Sequence, residues 1–256
     1  MKINNLEIFK DTIKKRMAFG TCISLADATI SELAADAGFD FCWIDMEHGV
    51  MSITDLMHHV MALRGTNCAA FVRVPDSSHT SIKKVIDLAP AGIIAPMINS
   101  ADAAREIVRA CRFPMDGGSR GYGPRRGCLY GNMPAAQFLE TAKREPWVIP
   151  QIEHIEAYEK LDEILDVEGL ECICIGPYDL SCSINKPGMM HDPEVMRILD
   201  DICRRAKAKG KIVGAFGGTD YAEWKNRGAD WISICFDEGA ISSMYRAMLS
   251  EARKNA

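Results

Sequence analysis

Short apolar runs and helix-like segments alternate eight times along this chain, and this alternation is the strongest constraint on its fold. The runs are continuous stretches of apolar residues, which is typical of parallel strands buried on both faces. They lie at residues 19–25, 41–45, 68–74, 92–97, 147–153, 172–176, 212–216 and 231–236. Alternating strands and helices form either an open doubly wound sheet or a closed barrel. Eight such units within 256 residues favour the closed α/β arrangement, a (β/α)8 TIM barrel.

A further helical segment, at residues 6–16, precedes the first apolar run. We expect this extra N-terminal helix to cover the end of the barrel where the strands begin. No linker or low-complexity stretch interrupts the pattern, so residues 1–256 are predicted to form a single barrel domain.

Charge and hydropathy disfavour several classes of partner. The formal net charge is −5 and no block of like charge occurs, which argues against binding to nucleic acids or to membrane surfaces. No run reaches the roughly 20 apolar residues that cross a bilayer, and the first residues are polar and unlike a targeting signal. We therefore expect a cytoplasmic protein that acts on small molecules.

The chain contains ten cysteines, which need a structural explanation. Several of them fall within the apolar runs, where a free thiol packs as a small apolar group, among them Cys42, Cys68, Cys172, Cys174 and Cys235. No pair has CxxC spacing, so reduced thiols in a cytosolic protein are predicted. Cys128, in the loop after the fourth unit, is predicted to lie at the surface and to be the most reactive thiol.

Polar residues follow several of the predicted strands directly. In a barrel, the carboxyl ends of the strands meet at one mouth, where active sites form. Glu153 and Asp179 follow neighbouring strands, and two carboxylates with few other ligands suit a hard cation such as Mg²⁺ or Mn²⁺. The alternative is that Asp179 caps the helix that follows it.

Two further residues at the same mouth have chemistry of their own. His48 is a candidate general base, because imidazole exchanges protons near neutral pH. Its alternative role is a loop histidine hydrogen-bonded to Asp45 or Glu47. Arg73 ends the third strand, where an unpaired guanidinium would be costly. It is therefore expected to meet an anion, either a substrate carboxylate or oxyanion or, alternatively, Asp45 or Glu47.

The segment 120–127 is rich in glycine and arginine but does not follow a strand directly. We interpret it as a mobile loop over the mouth, with Arg120, Arg125 and Arg126 as anion contacts. The alternative is a solvated basic loop. No predicted strand ends in lysine, which disfavours chemistry through a Schiff base.

Several separated segments resemble the HpcH/HpaI-type class II pyruvate aldolases. They are Ile44-Asp-Met-Glu-His48, Val72-Arg73, Gln151-Ile-Glu153, Leu165-Asp-Val-Glu-Gly169 and Ile175-Gly-Pro-Tyr-Asp-Leu-Ser181. The resemblance covers residues 20–237, and the segments agree with the family in order and spacing.

The resemblance implies a role for each matching residue. Glu153 and Asp179 match metal ligands for Mg²⁺, Mn²⁺ or Co²⁺, and His48 matches the catalytic base. Arg73 matches the arginine that steadies the carbonyl and enolate of pyruvate. The remaining matches are the substrate-site residues Gln151, Gly176, Tyr178 and Asp179, and Asp87, which corresponds to an aspartate associated with the histidine. The resemblance also implies a homo-oligomer, typically a hexamer whose subunits exchange their last helix.

Two residues depart from the family pattern. Tyr178 replaces an alanine in the motif after the sixth strand, and His154 replaces a small hydroxyl residue. Both departures concern recognition of the second substrate rather than the metal chemistry.

The predicted function is that of a metal-dependent aldolase. Such an enzyme reversibly cleaves a 2-keto-3-deoxy sugar acid, or a 4-hydroxy-2-oxo acid, to pyruvate and an aldehyde. One alternative uses the same enolate in citrate synthesis or in lysis of a coenzyme A thioester. Another is a non-catalytic barrel that binds a metal and a keto acid.

Overall fold

The computed structural model describes residues 3–255, and within them eight parallel strands form a closed barrel in which β8 pairs with β1. The strands are β1 (Ala18–Ile23), β2 (Phe41–Asp45), β3 (Ala69–Arg73), β4 (Gly92–Ala95), β5 (Trp147–Ile152), β6 (Cys172–Ile175), β7 (Ile212–Phe216) and β8 (Trp231–Phe236). The helices are α1 (Leu6–Ile13), α2 (Thr29–Asp36), α3 (Ile53–Ala62), α4 (His79–Ile86), α5 (Ala101–Cys111), α6 (Ala135–Ala142), α7 (Ile155–Glu159), α8 (Leu161–Leu165), α9 (Pro177–Ser183), α10 (Pro193–Ala208), α11 (Tyr221–Asn226) and α12 (Asp237–Lys254). The predicted TIM barrel is confirmed.

Side chains along each strand point alternately into the barrel and toward the surrounding helices. On β2, Phe41 and Trp43 pack inside the barrel, whereas Cys42 and Ile44 pack in the apolar layer beneath the helices. The same alternation brings Asp45, the last residue of β2, to the inner side of the barrel mouth. The strand register pairs Asp45 with Arg73 at the end of β3. Regular strand geometry therefore delivers polar residues to one place.

The helix α1 closes the end of the barrel where the strands begin, as predicted. Its residue Phe9 is fully buried. The Phe9 ring makes edge contacts, with centroids 4.8 to 6.4 Å apart, to four rings at the bottom of the barrel: Phe41, Phe71, Trp147 and Trp231. Aromatic pairs in this arrangement add to the stability that burial provides.

The arginine-rich loop lies at the opposite end of the barrel from its predicted position. Arg120 lines a small cavity together with Pro90 and Pro146, which precede β4 and β5. A loop that leads from a helix to the next strand must reach the amino end of that strand, so the segment after α5 cannot cover the mouth. The prediction of a loop over the active site was wrong.

Two of its arginines are buried and take structural roles. The Arg120 guanidinium packs against the rings of Phe113 and Phe138, 4.8 and 5.4 Å from their centroids. Arg126 donates to the carbonyl oxygens of Val60 and Leu88, near the carboxyl ends of α3 and α4. Helix ends leave such carbonyls unpaired, and a cation there satisfies them.

The predicted burial of the cysteines in the apolar runs is confirmed except at Cys235, which is only partly buried. All ten thiols are free, and most are buried. Cys128 is also buried, and its thiol donates to the carbonyl oxygen of Arg125, so the prediction that it lies at the surface was wrong. The exposed thiol belongs to Cys182 on α9. The sequence indicated α9 only as a helix that Asp179 could cap, although a proline at its first position is a common start signal. The helical segment after β5 is broken at Lys160 into α7 and α8.

The described part of the chain, residues 3–255, includes no helix that is both long enough and apolar enough to cross a membrane.

We predict that Phe9→Ala strongly destabilises the barrel, because it leaves a cavity among four aromatic rings. Loss of a buried phenylalanine costs about 3–5 kcal/mol. The matched control is Ile8→Ala on the same helix, where the side chain is exposed and the expected change is roughly 0.5 kcal/mol or less. Urea unfolding followed by circular dichroism measures both. Equal midpoints for the two variants would contradict the role assigned to α1.

Candidate active site

A cavity of about 390 Å³ opens at the mouth of the barrel. Its lining includes six residues that the sequence predicted for the site: His48, Arg73, Gln151, Gly176, Tyr178 and Asp179. They come from the ends of β2, β3, β5 and β6 or from the turns that follow. The structure therefore brings together most of the predicted site.

Arg73 is held by two carboxylates at the base of this cavity. Its Nε and Nη2 donate to the two carboxylate oxygens of Asp45, at 2.9 and 2.6 Å, and Nη1 lies 2.8 Å from Oε2 of Glu47. Burial alone would lower the pKa of Arg73, but the bonds to Asp45 and the charge of Glu47 outweigh this effect and raise it. The alternative prediction for Arg73, that it pairs with Asp45 or Glu47, is therefore confirmed for both carboxylates. Within residues 3–255 the guanidinium makes no further hydrogen bond, so its remaining N–H donors can serve a ligand.

Glu153 is buried beside the cavity and is positioned by two donors. The backbone N–H of Met97 donates to Oε1 at 2.7 Å, and the Gln151 amide donates to Oε2. Met97 follows β4 and has a φ of 55°, a left-handed conformation that is costly for a residue with a side chain. The side chains of Gln151 and Glu153 occupy space that a side chain at position 176 would need. A Cβ on Gly176 would lie 2.7 Å from both Gln151 Nε2 and Glu153 Oε2, so glycine is required there.

The acidic groups of the site repel one another. Burial, with smaller contributions from the charges of Glu47 and Asp179, raises the pKa of Glu153 to about 7 despite the bond from Met97. Burial likewise raises the pKa of Glu47. Four carboxylates, of Asp45, Glu47, Glu153 and Asp179, and one guanidinium lie in or beside the cavity, so the site has an excess of negative charge that a cation would relieve.

These residues fit a divalent cation. Glu153 and Asp179 supply carboxylate oxygens, and Oε1 of Gln151 is buried without a hydrogen-bond partner. An all-oxygen set of this kind suits Mg²⁺ or Mn²⁺. Among residues 3–255, no group of three or more histidine, cysteine or acidic side chains forms a complete metal site. Gln151, water and substrate would therefore have to complete the coordination of two carboxylates.

His48 and Asp179 lie at the solvent side of the cavity. The His48 side chain is 67% exposed, and its Nε2 is 3.9 Å from Oε2 of Glu47. Asp179 is exposed in the first turn of α9, and the capping position of that helix is occupied by Gly176 without a side-chain bond. The helix-cap alternative for Asp179 therefore has no support.

Apart from Glu153, which is buried beside the cavity, two other residues that the sequence singled out lie outside its lining. Asp87 ends α4, where burial raises its pKa and the charges of Arg120 and Arg125 oppose that rise. No hydrogen bond or ion pair of the described residues joins Asp87 to His48, and its catalytic role stays a prediction. His154 caps α7, because its Nδ1 accepts from the N–H of Glu156. A ring nitrogen of His154 therefore caps this helix at the position where the family pattern has a small hydroxyl residue.

Sequence reasoning missed the aromatic part of the site. Trp43, Phe216 and Phe236 line the cavity beside Tyr178. Each stands on a strand that was predicted, and inward alternation from Asp45 could have assigned Trp43 to the interior. Nothing in the sequence pointed to Met97, because its role depends on a backbone N–H.

Known proteins resemble this chain in both sequence and fold. The profile of the HpcH/HpaI aldolase/citrate lyase family matches residues 19–242. This chain belongs to that family. It is therefore a carbon–carbon lyase, and both the predicted family and the predicted enzyme class are confirmed.

Individual relatives in this family differ in the reactions for which they are named. A 4-hydroxy-2-oxovalerate aldolase from Rhodococcus jostii (strain RHA1) is 32% identical over 236 residues, covering 91% of this chain and 90% of the relative. A 2-keto-3-deoxy-L-rhamnonate aldolase from Escherichia coli O157:H7 is 35% identical over 209 residues, covering 80% and 77%. The crystal structure of a citrate synthase has a TM-score of 0.87 at 26% identity and covers 99% of both chains.

Glu153 is predicted to make the metal-free protein less stable as pH rises. An ordinary glutamate loses its proton near pH 4.5, whereas Glu153 keeps it to about pH 7. Between these values the folded state binds more protons than the unfolded state, so stability falls as pH increases. The loss is of the order of 3 kcal/mol at pH 8.

Thermal unfolding of the EDTA-treated wild type and of the EDTA-treated Glu153→Gln variant, each at pH 5 and at pH 8, measures this effect. We expect Glu153→Gln to gain in midpoint relative to the wild type at pH 8, and added Mg²⁺ to stabilise mainly the wild type. A difference between the two proteins that does not change with pH would contradict the assignment.

Proposed function

We propose that this protein is a class II aldolase that cleaves a 4-hydroxy-2-oxo acid, including 2-keto-3-deoxy sugar acids, to pyruvate and an aldehyde, and catalyses the reverse addition. The proposal includes a divalent cation, Mg²⁺, Mn²⁺ or Co²⁺, held by Glu153 and Asp179. The observation that carries it is that Asp179, Gln151 and the doubly paired Arg73 line one cavity, with Glu153 buried beside it and hydrogen-bonded to Gln151.

Electrostatics support the cation. The substrate is an anion, and it must enter a site where Asp45, Glu47, Glu153 and Asp179 outnumber Arg73. When bound, a divalent cation would polarise the 2-oxo group and lower the energy of negative charge on its oxygen.

Residues of the chain perform the remaining steps. His48 accepts the proton of the 4-hydroxyl group, and the bond between C3 and C4 breaks with its electron pair passing to the keto acid. Free N–H donors of Arg73 face the oxygen on which negative charge develops. Asp45 and Glu47 hold the guanidinium in place before substrate arrives, so little reorganisation is needed during the reaction. Protonation at C3 then releases pyruvate. Asp87 is proposed as an associate of the histidine, on resemblance alone.

Citrate synthesis is the rival enzymatic reading, since a citrate synthase has the same fold. That reaction requires an acyl carrier in addition to a keto acid. Among the described residues that line the cavity, the basic side chains are His48 and Arg73, and Arg73 is already paired with Asp45 and Glu47. No further cation is placed to bind the phosphates of a nucleotide. A non-catalytic binding barrel would have no use for His48 beside the acidic site.

A homo-oligomer, hexameric by resemblance, is also proposed. The helix α12 has a single buried residue, Asp237. Four large apolar side chains along it are 50–64% exposed: Met244, Tyr245, Met248 and Leu249. Their spacing places them on one face of the helix. Such a patch is characteristic of an interface between protein chains. The ten free thiols support a reducing, cytoplasmic location.

A chelator is expected to abolish pyruvate release from 2-keto-3-deoxy acids, and Mg²⁺, Mn²⁺ or Co²⁺ is expected to restore it. Borohydride added with substrate should leave the activity intact, because no lysine lines the cavity in the described residues. A coupled lactate dehydrogenase assay measures release, with Glu153→Gln and Asp179→Asn as variants expected to lose at least about 100-fold. Activity that survives thorough metal stripping, or inactivation by borohydride, would overturn the proposed chemistry.

The interface on α12 predicts a change in assembly. Met248→Asp places a charge in the apolar patch, so sedimentation velocity should show a smaller species than the wild type. The matched control is Ser250→Asp, which places the same charge at an exposed position on the opposite side of the same helix and should preserve the assembly. The same sedimentation coefficient for all three proteins would contradict the interface.

A further inference from the structure

One side of the active-site cavity is aromatic, and the proposed reaction steps give this side no role. Tyr178, the second residue of α9, packs edge-on against Phe216 at the end of β7, with ring centroids 6.1 Å apart. Phe216 packs edge-on against Trp43 on β2 at 6.3 Å. All three residues line the cavity. Their rings form a continuous apolar surface from its rim to its floor, which we call the aromatic wall.

The two halves of the substrate have different chemistry, and the cavity has two matching sides. The keto-acid half carries a carboxylate and a carbonyl, so it belongs with Arg73 and the carboxylates of Glu153 and Asp179. The aldehyde half continues the carbon chain away from these groups. Tyr178 directly precedes Asp179 in sequence and lines the same cavity. Its ring therefore stands beside the point where the carbon chain of the substrate leaves the charged groups. The Tyr178 and Phe216 end of the aromatic wall therefore faces the aldehyde half, whereas its Trp43 end lies against the Arg73 guanidinium, 5.5 Å from the ring centroid.

The wall has apolar surface to offer a ligand. The Tyr178 side chain is 48% exposed although it lines a concave site. A chain of C–H groups packed on this ring would remove apolar surface from water, at roughly 0.8 kcal/mol for each buried CH₂.

The ring faces themselves offer a polyhydroxylated chain no hydrogen-bond partner. The polar atoms of the wall are Nε1 of Trp43, which is buried without a hydrogen-bond partner and can serve one oxygen, and the hydroxyl at the edge of Tyr178; Ser24 and Glu238 also line the cavity. Further hydroxyl groups held against the rings would lose their hydrogen bonds to water without replacement, which is costly.

We propose that Tyr178, supported by Phe216, is a specificity-determining residue that selects an aldehyde with an unsubstituted aliphatic chain over a polyhydroxylated aldehyde of equal length. This inference rests on the proposed aldolase function and narrows it. The substrate class becomes the 4-hydroxy-2-oxo acids with an aliphatic tail, rather than the sugar acids. Tyr178 acts through the face of its ring, so its hydroxyl group is dispensable.

The test is aldol addition of pyruvate to propanal and to glyceraldehyde, whose carbon chains have equal length. The quantity measured is the ratio of kcat/KM for propanal to that for glyceraldehyde. Each variant's ratio is divided by the wild-type ratio, so that the different intrinsic reactivity of the two aldehydes cancels. Tyr178→Ala is expected to lower the ratio roughly tenfold, the lower end of the discrimination that hydrophobic pockets achieve. The matched control Tyr178→Phe keeps the ring and is expected to keep the ratio.

Two outcomes would overturn the inference. One is an unchanged ratio in Tyr178→Ala; the other is a fall of the same size in Tyr178→Phe, which would assign the selection to the hydroxyl. If Tyr178→Ala has a reduced thermal midpoint, Tyr178→Asn takes its place with the same expected fall. Deuterium exchange of the pyruvate methyl group requires no aldehyde, so it tests the aldolase function separately from the selectivity. If the wild type exchanges deuterium but Tyr178→Ala leaves the ratio unchanged, only the role of the aromatic wall is contradicted. If the wild type does not exchange deuterium, the aldolase function is contradicted.

Discussion

The buried ion pair between Arg73 and Asp45 is the interaction on which the site depends. Neighbouring strands β2 and β3 place the two residues directly opposite each other in the register. Both are almost completely removed from water, so loss of either partner would leave a buried charge, at a cost of about 3–5 kcal/mol. Glu47 adds a second carboxylate to the same guanidinium. Arg73 is thus oriented by the protein itself, and its free donors are available before any substrate binds.

Most of the fold follows from local patterns in the sequence. Continuous apolar runs at regular intervals predict parallel strands, and the count of eight favours closure. Once the barrel is accepted, the position of Glu153, Asp179, His48 and Arg73 follows from a general rule about strand ends. The family resemblance then adds roles to residues that this rule had already grouped.

Other parts of the site depend on tertiary structure. Glu153 is positioned by a backbone N–H of Met97, which any residue type could provide, and by the empty space at Gly176. The aromatic wall joins residues from β2, β7 and α9 that are far apart in the chain. The arginine-rich loop was misplaced because its composition was given more weight than its connection: a segment between a helix and the next strand lies at the amino end of the barrel. Instead of binding a substrate, Arg126 donates there to carbonyl oxygens at helix ends, and Arg120 packs against aromatic rings.

We propose that the acidic mouth, together with a divalent cation, turns pyruvate into its enolate. Deuterium incorporation into the methyl group of pyruvate in D₂O, followed by mass spectrometry, tests this most directly because no aldehyde has to be known. The account predicts exchange with Mg²⁺, Mn²⁺ or Co²⁺, none above background after treatment with EDTA, and a loss of at least about 100-fold in Arg73→Lys. Exchange that continues in the metal-stripped protein, or no exchange with any of the three cations, would contradict it.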